Sequence, residues 1–236
     1  MSSSALSRLA VLALLLVAGA CAEKAPTTDG VIASVTGSAV IEHVEADGTK
    51  KTRAARTGER VFASDAIVTA QDSNVIFDVQ GARMEIQQNT RFVYERAGDD
   101  KQVYVQNGNV WTEVSKIEGN RRFSLRTPTT LAGVRGTKFF TFTDGTNTGT
   151  CHCEGKIAFK NLVSGKEEEN DRDYIMYYRD KKAVKVTIEE LKKLGLPIGH
   201  NHSELEKGSI GKKNNLTPAQ IKKMQDYVEK KFAALR

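Results

Sequence analysis

The sequence predicts a mainly β protein with helices at its C-terminal end. The first indication is a series of short runs rich in β-branched and aromatic residues, which begins at Val31 and continues for over a hundred residues. The second is the turn spacing of about eight to twelve residues per strand, which leaves no room for the helices of a βαβ architecture. The third is a pair of helix-start signals after residue 186. We therefore expect an antiparallel sandwich or roll, or a solenoid-like stack of short strands, followed by α-helices.

The N-terminal 29 residues are expected to precede the folded domain. Arg8 is followed by an apolar run at 9–18 and by small residues, which is the pattern of an export signal. A run of about ten apolar residues is well below the ~20 that a transmembrane helix needs. The sequence VAGAC that ends at Cys21 resembles a bacterial lipoprotein cleavage box, in which the cysteine becomes the lipidated first residue. These features predict a signal peptide at 1–20 and a lipidated tether at 21–29, with plain secretion as the alternative to lipidation.

Export restricts the classes of partner. By the same resemblance, Ala22 after the lipidated cysteine favours the outer membrane, so we expect a periplasmic or envelope protein held by its lipid anchor. The formal net charge is +6, which in a cytosolic protein would suggest nucleic acid. In an exported protein, the simpler interpretation is a solvated basic surface that can rest against anionic envelope polymers or lipid headgroups, and no nucleic-acid partner is expected.

The β domain is expected to span residues 30–186. Its predicted strands are 31–35, 39–44, 61–62, 66–69, 75–79, 84–86, 92–94, 103–105, 110–114 and 123–125, separated by turns such as Asn107-Gly108. Residues 138–143 and 150–159 predict a hairpin around Asp144-Gly145, which supplies the φ > 0 positions of a tight turn. The acidic stretch 167–171 is interpreted as a solvated loop. Residues 174–178 and 183–186 are expected to pair as a last hairpin.

The segment from 126 to 159 carries a family signature. Its Thr127-Pro128, the run VRGTKF at 134–139 and EGKI at 154–157 resemble the "TP…vRGT.F…eG.V" signature of FecR-like domains. The stretch from Asp65 to Thr69 resembles the "D.i.T" step of the same family, so the resemblance spans about residues 30–163. It implies a periplasmic sensing or interaction module, best known for relaying a signal from an outer-membrane receptor to an anti-sigma function. A complete transmembrane regulator is not expected, because we find neither the membrane span nor the cytoplasmic part that such a relay needs.

Arg135, the arginine of this signature, is a candidate for partner binding. Its guanidinium carries several donors, so it could alternatively tie neighbouring strands together. The partner would be a protein or a cell-envelope polymer.

A helical extension is expected at 187–236. Thr187 and Glu190 have the spacing of a capping box at the start of one helix. Thr217, Pro218 and Gln220 give the same signal for a second helix. Its apolar stripe, which should dock on the β domain, consists of Ile221, Met224, Val228, Phe232 and Leu235.

Cys151 and Cys153 are the most reactive pair in the predicted mature domain. In an unbroken strand, residues i and i+2 share a face with Cα atoms about 6.5 Å apart, near the upper limit for a disulfide. Two thiolates on one face could instead bind a metal ion together with His200 and His202, a second i, i+2 pair. Two sulfurs and two nitrogens suit zinc, or copper where thiolate softness dominates. Three interpretations stay open: a metal site, a strained redox or structural disulfide, and small buried thiols with no joint role.

The function predicted from these features is non-enzymatic. The sequence has no Gly-x-Ser-x-Gly, no His-Glu-x-x-His, no phosphate-cradling loop and no Cys-x-x-Cys. We expect an envelope binding or sensing lipoprotein. The alternative is a metal-binding or thiol-redox lipoprotein that uses the cysteine and histidine pairs.

Overall fold

The computed structural model of the protein describes residues 30–79, 81–115, 121–170, 174–197 and 217–235. These ranges contain seventeen strands and two helices. The first nine strands are β1 (Gly30–Thr36), β2 (Ala39–Val44), β3 (Lys50–Ala54), β4 (Arg60–Val61), β5 (Ala66–Thr69), β6 (Asn74–Val79), β7 (Ala82–Ile86), β8 (Arg91–Arg96) and β9 (Asp100–Val114). The others are β10 (Arg122–Arg126), β11 (Thr130–Val134), β12 (Thr137–Thr143), β13 (Asn147–Glu154), β14 (Ile157–Asn161), β15 (Glu167–Asn170), β16 (Tyr174–Arg179) and β17 (Lys182–Thr187). The helices are α1 (Ile188–Lys193) and α2 (Pro218–Ala234).

The strands form two sheets that share β9. Sheet A has the order β4-β1-β6-β7-β9-β12-β13-β16-β17. Sheet B has the order β3-β2-β5-β8-β9-β10-β11-β14-β15. Neighbouring strands are antiparallel, apart from the parallel pair β9 and β10. The first half of β9 belongs to sheet B and the second half to sheet A.

The two sheets pack face to face around one apolar core. Phe77 on sheet A contacts Phe92 and Tyr94 on sheet B, with ring centroids 5.6 Å apart in both pairs. At the other end of the core, Phe159 of sheet B contacts Tyr178 of sheet A at 5.7 Å. Strands such as β12 alternate buried and partly buried residues along their length, because only one face of each sheet meets the core. The predicted mainly β sandwich with C-terminal helices is confirmed.

The predicted turn at Asn107-Gly108 is wrong, because β9 runs through it as one strand of 15 residues. Gly108 has φ +102°, and a Cβ there would lie 2.5 Å from Cα of Thr90. Glycine is therefore needed where the strand leaves sheet B for sheet A beside Thr90. The glycine marks a change of sheet rather than a reversal of the chain.

The predicted hairpin around Asp144-Gly145 is confirmed, since β12 pairs with β13. Its second strand is shorter than predicted, because β13 ends at Glu154 and Gly155 turns the chain with φ +90°. Residues 157–161 form β14, which belongs to sheet B. The run 150–159 therefore supplies one strand to each sheet.

The acidic stretch at 167–171 was expected to be a loop, but its residues Glu167–Asn170 form the edge strand β15. An edge strand needs partners on one side only and tolerates charged side chains. Two of its glutamates form ion pairs, Lys160 with Glu167 at 3.1 Å and Lys166 with Glu168 at 2.7 Å. The strand was not predicted because its composition is polar.

The "D.i.T" step is a structural device. The carboxylate of Asp65 is fully buried and accepts hydrogen bonds from His43 Nδ1 (2.6 Å), Arg53 (3.1 Å) and the Phe62 backbone (3.1 Å). At the end of the step, Thr69 donates to the Gln87 carbonyl at 2.6 Å. Both residues fasten neighbouring strands of the β domain to one another.

The two helices cover part of the outer face of sheet A. Both predicted capping boxes are present, at Thr187 with Glu190 and at Thr217 with Gln220. The side chains of α2 that are buried in this second apolar cluster are Met224, Val228 and Phe232, which pack with Ile175, Tyr177, Val184 and Val186 of the sheet. The helix therefore docks on its own domain, as predicted. No helix within the described ranges is both long and apolar enough to cross a bilayer.

Candidate functional site

The predicted site residues divide into two groups. Arg135, Cys151 and Cys153 belong to the described part of the chain. Cys21, His200 and His202 lie outside the described residues. Lipidation and the histidine half of the metal site therefore stay predictions.

Arg135 is exposed in the turn between β11 and β12. It makes no side-chain hydrogen bond or ion pair with any described residue, so the structure does not show the strand-tying role. Instead, its side chain lines an open groove of about 920 Å³ on the outer face of sheet B.

Three cations stand side by side at one end of this groove. Phe123 of β10 pairs with Val134 of β11, and Val134 pairs with Ile157 of β14. Arg122 precedes Phe123, Arg135 follows Val134 and Lys156 precedes Ile157. Because these strands are antiparallel, the three cations lie next to one another. Because neighbouring strands are about 4.8 Å apart, the three positions span roughly 10 Å across the sheet.

These three cations form no ion pair with a described residue, and Asp100, the neighbour of Arg122 on β9, pairs with Arg96 instead. Arg122 and Lys156 resemble Arg135 in being exposed and in forming no ion pair with a described residue. Nearby arginines differ, since Arg96 pairs with Asp100 at 3.1 Å and Arg126 pairs with Glu95. Two like charges about 5 Å apart in water repel by about 0.8 kcal/mol, so the row would be stabilised by an anion.

The floor of the groove is made of small side chains. Ser124, Gly133 and Ala158 lie opposite one another on β10, β11 and β14, on the face away from the core. A Cβ added at Gly133 would meet only the Ala158 carbonyl oxygen, at 3.9 Å, so the fold has room for a larger residue there. The groove is open because these side chains are small, and not because the sheet has a gap. Glu169 of β15 lies beside Ala158, at the end of the same row.

The end of the groove that carries Arg135 and Lys156 is built from two packed turns. A Cβ at Gly155 would lie well inside contact distance of the Gly136 carbonyl oxygen and 2.7 Å from Cγ2 of Thr137. The buried His152 donates from Nε2 to the Gly155 carbonyl oxygen at 2.7 Å. These contacts fix the turn that precedes Lys156 relative to the turn that carries Arg135.

Cys151 and Cys153 have different environments. Cys151 is buried in the second apolar cluster, where it contributes, after burial itself, to raising the pKa of Tyr177. Cys153 is exposed, and a shift in the β12/β13 register falls at this residue. We expected the two cysteines to share a face because side chains alternate along an unbroken strand. The bulge interrupts this alternation, so the expectation no longer applies. The two residues do not form a disulfide.

The described residues contain no group of three or more His, Cys, Asp or Glu side chains arranged to hold a metal ion. The set of Cys151 and Cys153 with His200 and His202 stays a prediction. Elemental analysis of the purified protein tests it, with a double Cys151→Ser, Cys153→Ser variant as the comparison. Stoichiometric zinc or copper that disappears in the variant would support the site, and wild-type protein without metal would refute it.

The sequence identified Arg135 as a candidate binding residue, but not its neighbours Arg122 and Lys156. Lys156 belongs to the family signature and Arg122 starts a predicted strand region, so both were visible as residues. Their proximity depends on the pairing of β10, β11 and β14, which join distant parts of the chain. An expectation that β11 and β14 pair would have supplied the missing signal.

Comparisons with known proteins agree with the signature. The family model described as FecR protein matches residues 65–158. No curated protein is significantly similar to the chain. Two crystal structures of a "putative anti-sigma factor" from Parabacteroides distasonis are similar to it. One is 15% identical with a TM-score of 0.46 and covers 54% of this chain, and the other is 13% identical with a TM-score of 0.36 and covers 70%. The match spans 62% of the length of each of those chains.

The matched region runs from Asp65, just before β5, to Ala158 in β14. It does not extend over the first four strands, where the opening of the domain also resembles the family. All of the cations that line the groove fall within it. Residues 65–158 therefore match the FecR protein family, as the signature predicted.

Proposed function

We propose that this protein is a non-enzymatic envelope module that binds an anionic partner in the groove beside Arg135. The observation that carries the proposal is the row of Arg122, Arg135 and Lys156, three exposed cations that form no ion pair with a described residue and lie at the end of a groove of about 920 Å³. Protein surfaces with one sign of charge in a concave site attract ligands of the opposite sign. The partner is a protein segment or a cell-envelope polymer that carries negative charge.

Binding rather than catalysis is favoured by the chemistry of the groove lining. Its hydroxyl group, on Ser124, lies near the Lys101 carbonyl oxygen (3.3 Å), and no histidine lines the groove. A nucleophile with an adjacent base is therefore missing from the described lining residues. A regulatory role agrees with the match of residues 65–158 to the FecR protein family.

The position in the cell follows from the N-terminal signals. We infer a lipid anchor on Cys21 that holds the domain at the outer membrane, with residues 21–29 as the tether and with α1 and α2 on the side of the β domain away from the groove. Detergent-phase partitioning that is lost in a Cys21→Ala variant would support the anchor. Wild-type protein that stays in the aqueous phase would refute it.

Binding to soluble polyanions tests the function of the groove. The full chain with Cys21→Ala should bind polyglutamate or a polyphosphate in a salt-sensitive manner, since exposed charges are screened within about 10 Å at 0.1 M salt. Arg135→Gln should weaken binding. Arg56→Gln removes an equally exposed cation that also forms no ion pair with a described residue and lies away from the groove, so it should not. Equal losses in the two variants would contradict the proposal.

A further inference from the structure

We propose that the ligand of the groove carries a phosphate ester, with the phosphate held by Arg122, Arg135 and Lys156. This inference rests on the proposed function and specifies the chemistry of its anionic partner. It follows from the number of cations, from their arrangement on three adjacent strands and from the carboxylate at the β15 end of the groove floor.

The number and spacing of the cations favour phosphate over carboxylate. Three donors approach from three neighbouring strand ends, spread over roughly 10 Å. The two charged oxygens of a phosphodiester can each accept hydrogen bonds from several directions around a tetrahedral phosphorus, so all three cations can donate to them, whereas the lone pairs of a carboxylate lie in one plane that a single guanidinium occupies. A phosphodiester also brings one negative charge, and a monoester up to two, to a row that forms no ion pair with a described residue.

The rest of the groove favours an ester over a free ion. Glu169 lies beside Ala158 at the β15 end of the floor, where its exposed carboxylate makes no ion pair with a described residue and repels a second anion. The floor of Ser124, Gly133 and Ala158 runs alongside the row of cations and leaves room for an uncharged group. The volume of about 920 Å³ is far larger than one phosphate requires. The alcohol portion of the ester therefore occupies the floor, and its hydroxyl groups can donate to Glu169.

Two sources of this chemistry exist in a cell envelope, a phospholipid headgroup and a soluble phosphodiester polymer. Both present the same phosphate to the cations. The experiment separates them by using full-length protein with Cys21→Ala, so that its own lipid does not attach it to vesicles. The probes are poly(glycerol phosphate), polyglutamate of matched length, and phosphatidylcholine vesicles with and without phosphatidylglycerol.

We expect the phosphate polymer or the phosphatidylglycerol vesicles to bind at least tenfold more tightly than polyglutamate. Arg135→Gln should weaken this binding by about tenfold, the value of one lost charge-assisted hydrogen bond. Gly133→Leu should weaken it as much without changing charge, because the side chain fills the floor while the fold accommodates it. Arg56→Gln is the charge-matched control, and circular dichroism with thermal melting confirms that each variant folds.

The outcomes distinguish this inference from the proposed function. Polyglutamate that binds as tightly as the phosphate probes, with the same dependence on Arg135, overturns the phosphate assignment and leaves an anion-binding groove. Failure of every probe overturns both. Phosphate binding that survives Gly133→Leu places the phosphate elsewhere on the protein and also overturns the inference. Binding to vesicles alone assigns the headgroup, and binding to the polymer alone assigns a soluble polymer.

Discussion

Gly155→Ala should both destabilise the domain and disturb the groove. The residue has φ +90°, a conformation that costs an L-amino acid about 1–2 kcal/mol. In addition, the new Cβ would overlap the Gly136 carbonyl oxygen and lie 2.7 Å from Cγ2 of Thr137, so the two turns must separate. Overpacking of this kind typically costs about 1–3 kcal/mol. We expect a total loss of about 2–5 kcal/mol in the free energy of unfolding.

Gly165→Ala is the matched control for this prediction. Gly165 has a similar φ of +72°, but nothing lies within 4 Å of its added Cβ, so only the backbone cost of about 1–2 kcal/mol applies. Urea denaturation measures both variants, and their difference of about 1–3 kcal/mol isolates the steric contribution. Gly155→Ala should also weaken binding of poly(glycerol phosphate), since it moves Lys156 relative to Arg135. Equal stability losses in the two variants would refute the packing of the two turns.

Three further predictions concern the helices and the buried carboxylate. Phe232→Ala should lower the free energy of unfolding of α2 by about 3–5 kcal/mol, which amide exchange would detect as faster exchange in the helix and not in the β core. Ile221→Ala, on the exposed side of the helix, should lower it by under about 1 kcal/mol. Burial raises the pKa of Glu190, but hydrogen bonds led by that from Lys231 outweigh it and lower the pKa from 4.5 to about 2. Because the folded pKa is depressed, this contact stabilises the helix pair above pH 4.5 and is lost as the pH falls toward 2, an acid dependence that Glu190→Gln should reduce in circular dichroism. Asp65→Asn should cost about 2 kcal/mol or more by urea denaturation, because it weakens the hydrogen bonds of a fully buried carboxylate, and an unchanged midpoint would contradict that role.

Local signals in the sequence were reliable where one short segment contains the whole physical cause. The capping boxes at Thr187 and Thr217 need only two side chains three residues apart, and both are present. The hairpin at Asp144-Gly145 needs only a turn and two β-prone flanks. Most strands that face the core were recognised by their β-branched and aromatic residues, since the same alternation produces burial, but β11 was not predicted.

Other features depend on contacts that no local pattern contains. The edge strands β3 and β15 are polar because one side of each faces solvent, so they lacked the expected composition. The groove depends on the register between β10, β11 and β14, whose residues are far apart in the chain. The bulge at Cys153 changes which side chains share a face, and alternation alone does not predict a bulge.

Because β9 is one continuous strand of both sheets, the β domain cannot be divided into two independent layers. A backbone cut near Gln106 would leave each layer with half of a central strand and would expose ladder groups on both. Neither layer should therefore be recoverable as a stand-alone fragment, and limited proteolysis should remove terminal segments before it divides the β domain. A gene fusion or insertion should be tolerated at peripheral turns, which lie away from the strand that the two layers share.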